Sequence, residues 1–228
     1  MITGEEAQIL GTSVRIAGSA VVFSLPFAIG AAFALSRQWF PARSVISALV
    51  HLPLVLPPVL VGFLLLLVFG RRAPIGAWLE SSFHIHLAFT AAGAALATAV
   101  MTFPLMVRAL RLSFEATDPR LLEAAAVLRA SPWDRFLTVA LPLAAPGVLA
   151  AAVIAFSAGL GEFGAVITFA SNIPGETQSL PLAIYAAMQM PSGEGLAWRL
   201  AAYSFSLAIV GLIAAEALQR WMQRRFDA

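Results

Sequence analysis

The chain has no cysteine and no lysine, and only 11% of its 228 residues are charged. Without cysteine there is no disulfide and no thiolate metal site. Without lysine there is no P-loop, because the GxxxxGK[ST] pattern needs its lysine to reach the phosphates of a nucleotide. If ATP drives this protein, another chain binds it. The scarcity of charge is equally informative, since soluble domains carry about 25% charged residues. What fills the chain instead is apolar, 60% of all residues. A soluble protein of this size cannot hide so much apolar surface, so lipid solvates most of it. The basic side chains, all arginine, form no stripe with interleaved aromatics, which argues against a nucleic-acid partner. The N-terminus, MITGEEAQILGTS, lacks a positive n-region and an A-x-A cleavage site, so no removable signal peptide is expected.

A spanning helix needs roughly 20 apolar residues. Ile16 to Ser36 is free of charge, long enough to cross, and reads as the first span. Ser44 to Gly70, with only His51 titratable, reads as the second. Leu87 to Val107 is the third. Phe136 to Gly175 is a longer run that holds one charge, Glu162, and the fourth span falls within it at about 143–170. The fifth falls near 198–218. Leu180–Met190, bracketed by Pro181 and Pro191, is too short to cross. It reads as an outer interfacial or re-entrant helix over about 180–190; if it did cross, there would be six spans. The expected fold is an all-α membrane protein, one domain over residues 1–228, built as a polytopic bundle of five or six transmembrane helices.

Arginines in short loops set orientation. With five spans, one side receives Arg37, Arg43, Arg108, Arg111, Arg120, Arg129, Arg135, Arg220, Arg224 and Arg225. The other receives Arg15, Arg71, Arg72 and Arg199. This bias puts the C-terminus in the cytoplasm and the N-terminus outside.

The second span carries Pro53, Pro57 and Pro58. Proline inside a helix removes a backbone hydrogen bond and clashes with the preceding turn. In lipid the freed carbonyls must be covered by protein or face a wet cavity, so Pro57 and Pro58 are candidates for the lining of a path, against the alternative of a static kink. Glu162 is read as the one acid deep within a span, flanked by Gly159, Gly161 and Gly164, which let another backbone approach. Its two readings are a packing or gating residue, and a structural ion pair with Arg71 or Arg72. An acid is a poor direct ligand for an anion. Arg71 and Arg72 stand on the outer side against the positive-inside bias, where they would attract an anion, bind an acidic partner or anchor to headgroups. His84 and His86 offer two ligands, fewer than a metal site needs. Trp133 and Trp221 suit an aromatic belt.

Between the third and fourth spans lies a short polar island, DPRLLEAAAVLRASPWDRF (Asp118–Phe136). Asp118 is a good N-cap and Pro119 suits the first helical position. Ser131, followed by Pro132 and by Asp134 three residues on, forms a second cap close to a capping box. The island therefore reads as two capped helices meeting at an angle, with Ala124, Ala125 and Ala126 as a smooth patch. A docking element and an ordinary solvated loop both fit these signals.

The island also carries a resemblance. Glu123-Ala124-Ala125 followed by Leu141-Pro142 resembles the EAA loop of the membrane subunits of bacterial ABC importers. That family implies a MetI-like permease architecture and a cytoplasmic coupling loop over about 112–142. Glu123, Ala124, Ala125, Arg129, Ser131, Trp133 and Asp134 would meet an ATPase subunit there. Arg129 stands where the family usually has glycine, so the first island helix is expected to run on without a left-handed turn. Three further stretches are similar to the molybdate permease branch: His51–Leu66, Thr102–Glu115 and Gly159–Tyr185. The resemblance implies a bacterial inner-membrane importer subunit for molybdate or tungstate, with sulfate, thiosulfate or another oxyanion as the alternative. It implies no catalytic residue, metal or cofactor on this chain. ATP and Mg would be bound by two partner ATPase subunits, and a periplasmic molybdate-binding protein would deliver the substrate. Five spans with no internal repeat are too few to enclose a path, so a homodimer with the path on its two-fold axis is expected. A membrane enzyme would need a nucleophile with its base, or paired acids, at one depth; His51 and Glu162 fall in different halves. A stand-alone channel leaves the island unexplained.

Overall fold

The computed structural model describes residues 3–37 and 42–226, with the side chains of 215 and 218–226 outside that description. The side chains of Arg220, Trp221, Arg224 and Arg225 therefore lie outside the described residues. Regular structure among the described residues is entirely helical. In order the helices are α1 (Gly4–Ser36), α2 (Arg43–Val55), α3 (Pro58–Phe69), α4 (Pro74–Phe83), α5 (Ala91–Glu115) and α6 (Pro119–Val127). Then come α7 (Pro132–Arg135), a π turn (Phe136–Ala140), α8 (Leu141–Leu143), α9 (Ala145–Leu160), α10 (Gly164–Phe169), α11 (Leu180–Met188) and α12 (Glu194–Phe226).

Helix α1 starts well before its charge-free run because Thr3 and Glu6 close a capping box. The Glu6 carboxylate accepts the Thr3 N–H at 2.9 Å, and the Thr3 hydroxyl accepts the Glu6 N–H. Ala17, Ala20, Ser24, Ala28 and Ala32 make a buried stripe of small residues at helical spacing. In lipid there is little hydrophobic drive between helices, so such stripes work by letting backbones come close and pack. The stripe meets α5, and α9 fills the third side. A Cβ at Gly159 would sit 2.9 Å from Thr98 Cγ2 and 3.4 Å from Ala17 Cβ, so this three-helix crossing leaves no room for a side chain.

Helices α1, α5 and α12 are each long and apolar enough to cross a membrane. The other crossings are broken. Helices α2 and α3 bend by 113° at Leu56–Pro57, and the segment Pro132–Leu143 bends by 68° against α9. Counting each bent pair as one span gives up to five. Helix α11 has nine residues. At about 1.5 Å per residue it cannot cross roughly 30 Å of hydrocarbon, which removes the sixth span.

Several expected boundaries move. The second span is not one kinked helix but two helices at a steep angle. The fourth ends as a helix at Leu160, and a break leads into the short α10. Helix α5 runs on through Arg108, Arg111 and Glu115, because arginine and glutamate are good helix formers. Helix α4 has no counterpart among the expected elements; Pro74 starts it and His84, in the left-handed region, ends it.

The two ends of the bundle are tied differently. At the N-terminal end of α1, Ser13 Oγ accepts the Leu180 N–H at 2.7 Å, and Arg199 Nε donates to Glu6 Oε1 at 2.8 Å. At the other end the Phe33 ring packs edge-on against Phe114 at 5.4 Å and Phe136 at 4.7 Å. Arg43 and Glu115 pair at 3.0 Å beside them. The polar island grows from this second end.

Candidate functional site

Two chain breaks meet inside the bundle. The residue before a proline is pushed into extended backbone, and Leu56 and Pro57 both obey this, with ψ of 145° and 131°. Helix α3 then restarts at Pro58, with the Leu60 and Val61 N–H groups on the Pro57 carbonyl at 2.9 and 3.2 Å. The second break lies between α9 and α10. There Glu162 Oε1 accepts the N–H of Ala165 at 2.9 Å, capping α10 from three residues upstream. Helices α3 and α10 then lie against each other almost backbone to backbone. A Cβ at Gly164 would be 2.6 Å from Pro58 Cβ. One at Gly62 would be 2.7 Å from both the Ala165 carbonyl oxygen and Thr168 Cβ.

Of the residues considered for a path, the structure therefore gathers Pro57, Pro58, Glu162 and Gly164. Gly161 is different: it is exposed, its φ is −92°, and a Cβ there would meet only its own helix's Ala158 carbonyl. Its expected part in a close approach is not found. The expected ion pair of Glu162 is also replaced. Arg71 Nη2 pairs with Glu80 Oε1 at 3.1 Å, and Glu162 forms no salt bridge among the described residues. Nor is Glu162 the most deeply placed acid, being half-buried, whereas Glu6 is 1% exposed. The Glu6–Arg199 clasp escaped the sequence because its partners stand 193 residues apart. The T-x-x-E pattern of Thr3 and Glu6 was the available signal, and it marks the cap but not the clasp.

The island is two capped helices. Asp118 Oδ1 accepts the Arg120 N–H at 2.9 Å at the head of α6. Ser131 and Asp134 form a complete capping box at the head of α7, with N–H to side-chain distances of 3.1 Å each way. Between them the expectation for Arg129 fails. Helix α6 does not run on: Arg129 adopts φ 61°. Its N–H donates to the Ala126 carbonyl at 2.9 Å, and the Ala130 N–H donates to the Ala125 carbonyl at 3.0 Å. This is a Schellman ending, made by arginine in the place that favours glycine. The left-handed region costs a residue with a Cβ about 1 kcal/mol or more. Two carbonyl partners and the cap that follows at once outweigh that cost. Arg129→Gly is accordingly expected to stabilise the loop by about 1 kcal/mol, read as slower amide hydrogen exchange at Arg129 and Ala130 or a higher midpoint of thermal unfolding. No change, or faster exchange, would mean that arginine is not strained there.

The tip and the root of the island contrast. Val127 and Leu128 are each 83% exposed and Trp133 is 71% exposed, while Glu123 and Ala124 are open beside them. Val127 and Leu128 were not singled out from sequence, where they read only as the apolar positions of a short helix. At the root, Leu122 and Phe136 pack into the core formed by α1, α5 and α9. The π turn carries α7 into α8 and on toward α9. The root of the island is thus in contact with three of the spans.

Comparison with known proteins now bears on this geometry. The family described as binding-protein-dependent transport system inner membrane component matches residues 24–225. The molybdenum transport system permease protein ModB of Escherichia coli strain K12 is 48% identical over 225 residues, covering 99% of this chain and 98% of that protein. The protein of the same name from Haemophilus influenzae is 46% identical, covering 96% of each. The sulfate transport system permease protein CysT of Escherichia coli strain K12 is 36% identical over 75% of this chain and 61% of its own. Among solved structures, a bacterial ABC transporter involved in the import of the polysaccharide alginate superposes with a TM-score of 0.76 at 16% identity, covering 96% of this chain and 80% of that one.

Proposed function

The chain belongs to the family of binding-protein-dependent transport system inner membrane components, and from that premise we propose that it is the transmembrane permease subunit of an ATP-driven molybdate importer. The observation that carries this reading is the island: a helix pair rooted in the core whose apolar tip has no cover among the described residues. Exposed apolar patches on a polar element mark a protein partner. That partner is an ATPase subunit, which supplies the ATP and Mg site that a lysine-free chain lacks. Molybdate is favoured over sulfate because relatives at 46–48% identity over nearly the whole chain bear the molybdenum name, against 36% over part of it for the sulfate one.

In this reading two copies of the chain pair about a two-fold axis and present two islands to two ATPase subunits. The island end faces the cytoplasm, and the Glu6–Arg199 end, with α11, faces the periplasm. Nucleotide binding draws the islands together. Because Phe136 is packed on Phe33 and Phe114, that motion turns α1, α5 and α9 as rigid bodies, and the path opens at the contact of α3 with α10. A periplasmic binding protein then delivers the oxyanion at the outer mouth. Of the pair Arg71 and Arg72, Arg72 is the one left to attract it there, since Arg71 is held by Glu80.

The test is purification with co-expressed cytoplasmic partners. An ATPase is expected to co-elute, and Glu123→Arg is expected to release it, because reversing a charge inside an interface costs about 2–5 kcal/mol or at least about thirty-fold in affinity. Uptake of radiolabelled molybdate falls in parallel and resists competition by excess sulfate. A complex that contains no ATPase sinks the reading.

A further inference from the structure

A second polar feature lies in the bundle, away from the island and the break. Between α2 and α5 there is an open cavity of about 410 Å³ lined by Ser47 and His51 on one side and by Arg111 and the exposed Arg108 and Glu115 on the other. Its position follows from the stripe on α5. Ala94, Ala97 and Met101 pack in the cluster that holds Val61, Leu65 and Ala165 of α3 and α10. Arg108, Arg111 and Glu115 continue the same face at helical spacing toward the island end. The cavity therefore sits on the face of α5 that α3 and α10 cover, further along the helix toward the island end.

Its charge is unbalanced. Glu115 Oε1 holds Arg111 Nε at 2.8 Å and Arg43 Nη2 at 3.0 Å. The Arg108 side chain has neither an ion pair nor a hydrogen bond among the described residues, although it lines the cavity. Two arginines stand against one carboxylate in the lining, and Arg43, outside it, shares that carboxylate and brings the cluster's surplus to two positive charges. His51 Nδ1 donates to the Ser47 carbonyl at 2.7 Å, which turns Nε2 away from that contact. A compact dianion matches this surplus, and the volume leaves room for its waters at roughly 30 Å³ each.

We propose that this cavity is an inner binding site for a tetrahedral oxyanion, the substrate's last station before release, with Arg108 as its principal contact. The identity of the anion as molybdate rests on the importer reading; the site itself rests on the cavity and its charge. A phospholipid phosphate offers the same chemistry at a cytoplasmic membrane surface. The substrate is favoured because the site lies on the face of α5 that α3 and α10 cover further out. A release site must also bind weakly enough to let go, which suits a few open arginine contacts better than a closed cage.

The test uses the full chain in nanodiscs of zwitterionic lipid, with radiolabelled molybdate as probe. Wild type is expected to bind molybdate, Arg108→Gln to lose at least about tenfold in affinity, and Arg108→Lys to keep most of it, since lysine keeps the charge but not the fork. Thermal unfolding of the three proteins checks that each is folded; Arg108 has no partner whose loss would disturb the fold. Equal binding by wild type and Arg108→Gln overturns the proposal. So does a wild-type protein that binds molybdate nowhere but retains phosphatidylglycerol through Arg108 in native mass spectrometry, because the site is then a lipid site. Binding of sulfate in place of molybdate, lost in Arg108→Gln, upholds the oxyanion site and removes molybdate as its substrate. An intact site in a chain that recruits no ATPase upholds the site and removes the importer reading.

Discussion

Valine in place of Gly62 is expected to abolish uptake while leaving the chain in the membrane. The new Cβ would stand 2.7 Å from the Ala165 carbonyl oxygen and 2.7 Å from Thr168 Cβ. Neither can swing aside, because one is backbone and the other is fixed to it. Helix α10 must then shift away from α3, and overpacking of this kind costs about 1–3 kcal/mol. The shift opens the one contact where both broken spans meet, which on the importer reading is the gate. Alanine brings the same Cβ without the further methyls, so Gly62→Ala should keep a small part of the activity. The measurement is molybdate uptake beside membrane abundance in cells lacking their own permease. A Gly62→Val protein that accumulates and transports at the wild-type rate would show that the close approach has no part in transport.

How far the sequence reaches is visible at these same residues. The charge-free runs located α1 and α5 because a long apolar helix is the simplest way to satisfy backbone groups in lipid. The same runs missed the ends of both helices. Glu6, Arg108 and Glu115 are polar and helical, and hydropathy is blind to that combination. Pro57 and Pro58 marked the break in the second span but not its 113° angle. Nor did they show that α10 lies against Gly62 and Pro58 just beyond the bend. The break after Leu160 was not marked, since Gly161, Glu162 and Phe163 include no proline and one charge in a long apolar run does not by itself end a helix.

The island was legible in outline because caps are local: Asp118 with Pro119, and Ser131 with Asp134, act within one turn. Arg129 shows the limit of that logic. Intrinsic preference disfavours a left-handed arginine, but the preference is worth only about 1 kcal/mol, and two carbonyl bonds and a following cap decide otherwise. Which face of the island is open was not legible. It depends on Leu122 and Phe136 turning inward to α1 and α5, which then leaves Val127, Leu128 and Trp133 outside.

Glu162 separates two roles that the sequence held together. Its charge could matter in the path, or its oxygen could matter as a cap. The Ala165 N–H that it accepts belongs to a fully buried residue at the head of α10. Glu162→Ala leaves that donor without a partner, at about 1–3 kcal/mol. The first turn of α10 then frays against Pro58, and uptake is expected to fall to a small fraction of wild type. Glu162→Gln keeps an acceptor oxygen at the same reach and removes only the charge, so it should retain most of the uptake and the thermal stability. The pair is diagnostic because the two variants differ in the hydrogen bond and share the loss of charge. If glutamine falls as far as alanine, the carboxylate acts through its charge, and the capping account of this residue is wrong. If alanine transports normally, the contact between α10 and α3 tolerates a loosened head, and the site of gating must be sought away from that contact.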